Sequence, residues 1–139
     1  MKYLLNTNVI SEFVKPMVDP AVLSWMRTTD ELQMAISVIS IGEIQKGISG
    51  MVQGKRRQEL QTWLDDALVP RFGTRILPLK LSDLQRWGRL LGEAKQSGDL
   101  IPPVDTLLAA TALNRNLSMV ARNRWDFSRT GVEIIDPWT

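Results

Sequence analysis

The chain of 139 residues has the length of one ordinary domain, and its 44% hydrophobic and 23% charged composition is that of a globular protein with a real core. It holds no cysteine and no histidine, which excludes disulfides, thiolate and imidazole metal sites, cysteine nucleophiles and Ser-His-Asp triads. A net charge of +2 and a pI of about 9.2 make only a mild case for a polyanionic partner.

Chemistry is left to carboxylates, hydroxyls, amides, Lys and Arg. Carboxylates without His or Cys suit a hard, oxygen-seeking cation such as Mg²⁺ or Mn²⁺. No apolar run approaches the roughly 18 residues of a membrane helix. No basic, apolar leader follows Met1, so a cytoplasmic location is expected.

In chain order, Tyr3-Leu4-Leu5 reads as a short buried strand that runs into a polar corner, Asn6-Thr7-Asn8. Thr7 or Asn8 can cap a helix through Glu12 and Phe13, which Pro16 stops. Asp19-Pro20 opens a second helix with Val22, Leu23 and Met26 on one face. Gln33 to Val38 is the next strand, with Met34, Ile36 and Val38 alternating against smaller residues. Ser37 or Ser40 can cap a helix over Ile39 to Ser49, ended by Gly50, with Ile41, Ile44 and Ile48 as its core stripe. After Gly54 comes a basic run, Lys55-Arg56-Arg57, and then an amphipathic helix carrying Leu60, Trp63, Leu64, Ala67 and Leu68, closed by Pro70.

Arg75 to Leu79 is a third strand. Leu81, Leu84, Trp87, Leu91 and Ala94 mark another amphipathic helix, ending at Gly98. Pro102-Pro103 introduces a helix from Val104 to Leu113, rich in small residues, with Asp105 in its first turn. Leu117 to Ala121 is a fourth strand, and Glu133 to Ile135 a short last one. Alternating strands and helices predict a three-layer α/β/α domain with a mainly parallel sheet of four to five strands. Without repeats, linkers or low-complexity segments, residues 1–139 are taken as a single domain.

In an open parallel sheet, ligands collect beyond the carboxyl ends of the strands. Asn6 follows the first strand there. Glu43 lies in the helix after the second strand, Asp105 opens the helix before the fourth, and Asn123 follows the fourth. Singly, Asn6 suits a turn or a cap, Asn123 suits a turn, and Asp105 suits the helix dipole. Glu43, set among Ile and Gly, asks for a partner or a cation.

The motifs Leu4-Leu5-Asn6-Thr7-Asn8-Val9-Ile10-Ser11-Glu12, Ile41-Gly42-Glu43-Ile44 with Gly47, Asp105-Thr106-Leu107-Leu108-Ala109-Ala110-Thr111-Ala112, and Val120-Ala121-Arg122-Asn123 with Asp126-Phe127 stand in this order. With the ending Ile135-Asp136-Pro137-Trp138, they make the chain resemble PIN-domain ribonucleases of the VapC toxin type nearly end to end. The resemblance implies a Mg²⁺ or Mn²⁺ site ringed by residues 6, 43, 105 and 123. Asp105 and position 6 would hold the metal, and Glu43 and Asn123 would bind it through water or orient the nucleophile. It implies cleavage of RNA, commonly tRNA or a ribosomal RNA loop. It also implies a homodimer and a small DNA-binding antitoxin as partner.

Arg122 and Arg124 are the expected phosphate contacts, with Lys55, Arg56 and Arg57 next. Trp125 suits stacking on a base. Trp63 and Trp87 suit the core or a protein interface, and Asp126 is a lesser candidate for the site.

One position departs from the family pattern. An acidic residue is expected at position 6, and Asn keeps an oxygen donor of the same shape without the charge. Weakened metal affinity follows, whether Asn6 is an inactivating exchange for Asp or a native amide. The rival reading is a module of the same fold that binds antitoxin or RNA without turnover. A dinucleotide-binding domain is disfavoured, since no glycine-rich turn follows the first strand.

Overall fold

The computed structural model describes residues 1–139. Its strands are β1 (Tyr3–Leu5), β2 (Met34–Ser37), β3 (Ile76–Leu77), β4 (Ser118–Val120) and β5 (Ile134–Ile135). They form one sheet in the order β3-β2-β1-β4-β5, every pairing parallel, with β1 in the centre. Helices α1 (Thr7–Glu12), α2 (Pro20–Thr28), α3 (Val38–Ser49), α4 (Lys55–Thr62), α5 (Val69–Phe72), α6 (Leu81–Gln96) and α7 (Pro103–Asn114) make the crossovers.

Side chains alternate across each strand, and the two faces have separate cores. Leu4, Ala35 and Met119 pack with Leu108, Ala109 and Ala112 of α7 and with Phe127. Leu5, Met34, Ile36 and Val120 pack with Val9 and Ile10 of α1, Ile44 and Ile48 of α3, and Leu64 and Leu68. The expected three-layer α/β/α fold is the observed one.

Local expectations held less evenly. In β2 the larger Met34 and Ile36 alternate with the smaller Ala35 and Ser37 as expected, and all four are buried because helices cover both faces. Val38 belongs to α3 and not to the strand. Pro70 does not close the helix that begins at Lys55. The backbone widens into a π-helical stretch over Trp63–Leu68 and continues as α5 through Pro70 to Phe72. Proline lacks the N–H and crowds the preceding turn, and a π-helical turn is one way to pass such a residue without ending the helix. Leu81 and Leu84, predicted for the core stripe of α6, are 74% and 41% exposed. The first turns of α6 therefore leave apolar surface uncovered.

A buried ion pair holds α6 against α7. Asp83, fully buried, bonds Arg115 at 2.8 and 3.1 Å, accepts from Asn114 Nδ2 at 2.9 Å, and caps its own helix through the Lys80 N–H at 2.9 Å. Burial works against ionisation of this carboxyl, but Arg115, the Lys80 N–H and Asn114 together outweigh burial and hold it below the usual range. The Trp87 indole N–H adds a bond to the Pro103 carbonyl at 2.8 Å. These contacts fix both ends of α7, and with them Asp105. Asp83→Ala should strand the Arg115 guanidinium and cost about 3–5 kcal/mol, read from urea unfolding at pH 7.

Candidate active site

The corner after β1 is held by its backbone. The Asn6 N–H donates to the Val120 carbonyl at 2.9 Å, and the Asn6 carbonyl accepts from Val9 and Ile10 at 3.0 and 3.3 Å. Asn6 is thus the cap residue of α1, one of the roles its type suited, in place of Thr7 or Asn8, but its side chain makes no capping bond. That side chain is buried, 7% exposed, and its Oδ1 has no hydrogen-bond partner. A buried acceptor left unpaired costs about 1–3 kcal/mol, so its retention asks for something that binds an oxygen donor.

Thr7 is free of capping because Asn6 takes that place. Its hydroxyl donates to Glu43 Oε1 at 2.6 Å and lies 2.9 Å from the Ser40 hydroxyl. Ser37, not Ser40, caps α3, accepting from the Ile39 N–H at 3.0 Å. The half-buried Glu43 is therefore oriented from α1. Neither Thr7 nor Ser40 was singled out from the sequence, where each reads as a cap candidate and no more.

Asp105 stands in the first turn of α7, after Pro102 and Pro103. The helix dipole there favours its ionised form by about 0.3–1 kcal/mol. Burial, and then the charges of Asp126 and Glu43, act the other way, and its pKa is pushed up to about 6 from the usual 3.8. Burial and repulsion win. Asp126 thus joins Asp105 and Glu43 in one electrostatic neighbourhood, more closely than its standing in the sequence suggested.

Asn123 follows β4 at the same edge of the sheet and is exposed; its carbonyl accepts from the Asp126 N–H at 3.1 Å. Arg122 is partly engaged within the chain. Its guanidinium lies 5.4 Å from the Trp138 ring centre. It also helps Lys15 and the Asp19 N–H keep the buried Glu12 carboxyl below its ordinary pKa. Arg124 and Trp125 are exposed, Trp125 at 87%. Of the second basic run, Arg56 bonds the Val14 carbonyl and Arg57 the Met51 carbonyl. An open trough of about 640 Å³ runs beside Glu43, lined also by Gly42, Lys46, Gly47 and Val104. Lys46 is a cation near the site that the sequence did not mark out.

The donor set fits a hard cation. An unpaired buried amide oxygen and mutually repelling carboxylates are what such an ion would relieve. Glu43, Asp105 and Asp126 do not close into a cage of three ligands, and Mg²⁺ needs only one or two carboxylates with water and substrate oxygens.

The PIN domain model matches residues 3–133. The chain belongs to the PIN-domain family. The PIN-domain relatives include the VapC ribonuclease Y4jK of Sinorhizobium fredii, 35% identical over 97% of this chain and 96% of that protein. Toxin FitB of Neisseria gonorrhoeae is 30% identical, over 97% of each chain. Among solved structures, FitAcB from Neisseria gonorrhoeae superposes with a TM-score of 0.91 at 29% identity, covering 98% of both chains. FitAB bound to an IR36 DNA fragment gives 0.91 at 28% identity, covering 99% of this chain and 96% of that one.

The raised pKa of Asp105 makes a prediction about this PIN domain without metal. Between about pH 4 and 6 the folded chain keeps a proton that the unfolded chain has lost, so stability falls as pH rises through that interval. Asp105→Asn should be more stable than the parent at pH 7 by about 1 kcal/mol, since solvent screens a half-buried carboxyl, with the gap closing below pH 4. Urea titrations of the two forms at both pH values in chelator check this, and added Mg²⁺ should narrow the gap at pH 7.

Proposed function

We propose that this PIN domain is a metal-dependent endoribonuclease toxin, weakened by Asn6 and neutralised by a cognate antitoxin. The observation that carries the reading is the buried, unpartnered Asn6 oxygen at the strand edge that also bears Asp105, Glu43 and Asp126. The names of the relatives, a VapC ribonuclease and a toxin, supply the reaction class. The substrate is tRNA or a ribosomal RNA loop.

Asp105 and Asn6 would hold Mg²⁺, or Mn²⁺ in its place. When bound, the ion lowers the pKa of a water and offsets charge building on the phosphate. Glu43, held by the Thr7 hydroxyl, and Asn123 orient the attacking water in line with the leaving oxygen. Without histidine, and with a water as nucleophile, neither imidazole nor the RNA 2′-hydroxyl is needed. Arg124 and Lys46 meet backbone phosphates, Arg122 meets them from its perch on Trp138, and Trp125 stacks on a base. An apolar hollow of about 400 Å³ between α1, α2 and the Trp63–Phe72 stretch, lined by Ile10, Phe13, Leu23, Met26 and Leu68, suits an amphipathic helix of the antitoxin. The uncovered Leu81 and Leu84 of α6, with Val104 of α7, suit a second copy of the chain.

One observation favours a second reading, an antitoxin- or RNA-binding module without turnover. The amide at position 6 removes a negative charge from the ligand set, and cation affinity falls with it. Asn6→Asp should restore Mg²⁺-dependent cleavage of total tRNA or ribosomal RNA, and Asp105→Ala or chelator should abolish it again. Gel analysis of RNA incubated with both forms decides. No cutting by either form favours the binding module, and brisk cutting by the unaltered chain would show that position 6 does not need its charge.

A further inference from the structure

Gly47 lies one helical turn beyond Glu43 on α3. Glycine weakens a helix interior relative to alanine. Yet a Cβ added here would meet nothing within 4 Å, and the backbone is not in the left-handed region. No contact inside the chain requires this glycine. On this flank of Glu43, α1, α3 and α4 border a cleft of about 230 Å³, which meets the open trough along Glu43, Gly47 and Met51. It shares Thr7 and Glu43 with the site, is walled by Ile48, Leu60 and Trp63, and includes Ser11, whose hydroxyl offers a donor and an acceptor.

We propose that this cleft is a nucleobase subsite, in which the RNA seats the base next to the scissile phosphate against Trp63, with its edge toward Ser11. The proposal rests on the ribonuclease reading. Three features select this occupant. The volume is below the roughly 300–1,000 Å³ that buries a drug-sized ligand, so the cleft takes one ring system and not a helix. Its walls are apolar with one aromatic ring, the surface on which unpaired bases are held. Continuity through Thr7 and Glu43 places its contents beside the residues assigned to the attacking water. The absent side chain at Gly47 leaves the way across α3 open.

Filling the cleft tests this. Gly47→Leu adds a side chain where there is room for it, and Gly88→Leu does the same on α6, where an added Cβ also meets nothing. The unaltered chain and both variants are titrated, by fluorescence anisotropy, into a labelled, sequence-randomised single-stranded RNA, and the bound RNA is sequenced. The parent should enrich one base class at one position. Gly47→Leu should lose that preference and bind about tenfold more weakly, while Gly88→Leu behaves as the parent. Ser11→Ala, which leaves α3 untouched, should blunt the same preference if Gly47→Leu fails to fold. In the Asn6→Asp background, Gly47→Leu should raise KM with less change in kcat.

Parent-like affinity and preference in Gly47→Leu and Ser11→Ala would overturn the subsite and leave the nuclease reading standing. Loss of antitoxin binding alone in Gly47→Leu would assign the cleft to the antitoxin and overturn it too. No RNA binding or cleavage by the parent or by Asn6→Asp overturns both readings.

Discussion

The rest of the structure depends on an all-parallel sheet with β1 in the middle. Parallel pairing obliges the chain to return to the opposite edge after every strand, so all the strand ends, and the corners that follow them, point the same way. β1 is flanked by β2 and β4. Asn6, Glu43 and Asn123 are therefore gathered at one edge by topology, although the sequence holds them far apart. Asp105 comes to that edge differently, from the start of α7. Its position rests on the Asp83–Arg115 pair and on the Trp87–Pro103 bond, which fix α7 against α6. A buried ion pair is weak evidence of stability in itself. Here its consequence is registry, because a slide of α7 along α6 would carry Asp105 away from Glu43 and Asp126.

The site is organised by the opposition of two electrostatic effects. The fold collects carboxylates at one corner and withdraws water from them, which disfavours their ionised forms. It also leaves Asn6 Oδ1 without a partner while using the Asn6 backbone fully. Both features are costs to the chain alone, and a cation is the species that turns both into attractions. With Asn in place of an acid at position 6, the repulsion is smaller and so is the attraction for the ion.

Several elements were legible because their signals are local. Asp19-Pro20 opened a helix as expected, with Asp19 Oδ1 accepting from Ala21 and Val22. Tyr3-Leu4-Leu5 was read as a buried strand and is β1, and the strand expected over Leu117 to Ala121 is present as Ser118–Val120. The misses have two causes, a local preference overridden by a distant partner and a backbone that adapts locally. Thr7 is a good cap by type, but Glu43 from α3 claims its hydroxyl. Pro70 ends helices by rule, but the preceding turn widened around it. Asp83, which no local pattern marked out, meets Arg115 in the core. The exposed Leu81 and Leu84 are the reverse case, with a helical stripe that no part of this chain covers.

The sequence by itself determined the fold class, the chemical limits set by the absence of histidine and cysteine, and the ordered motifs that mark the family. It could do so because periodicity, composition and motif order are properties of the chain read along its length. Tertiary structure alone decided which groups share an electric field and which stay unpaired. Asp126 gained its weight from its nearness to Asp105, and Thr7 from its reach to Glu43. Lys46 gained its place from the trough beside α3. Coulomb interactions and desolvation depend on distance and on the loss of water, and neither exists for the chain until the sheet has closed.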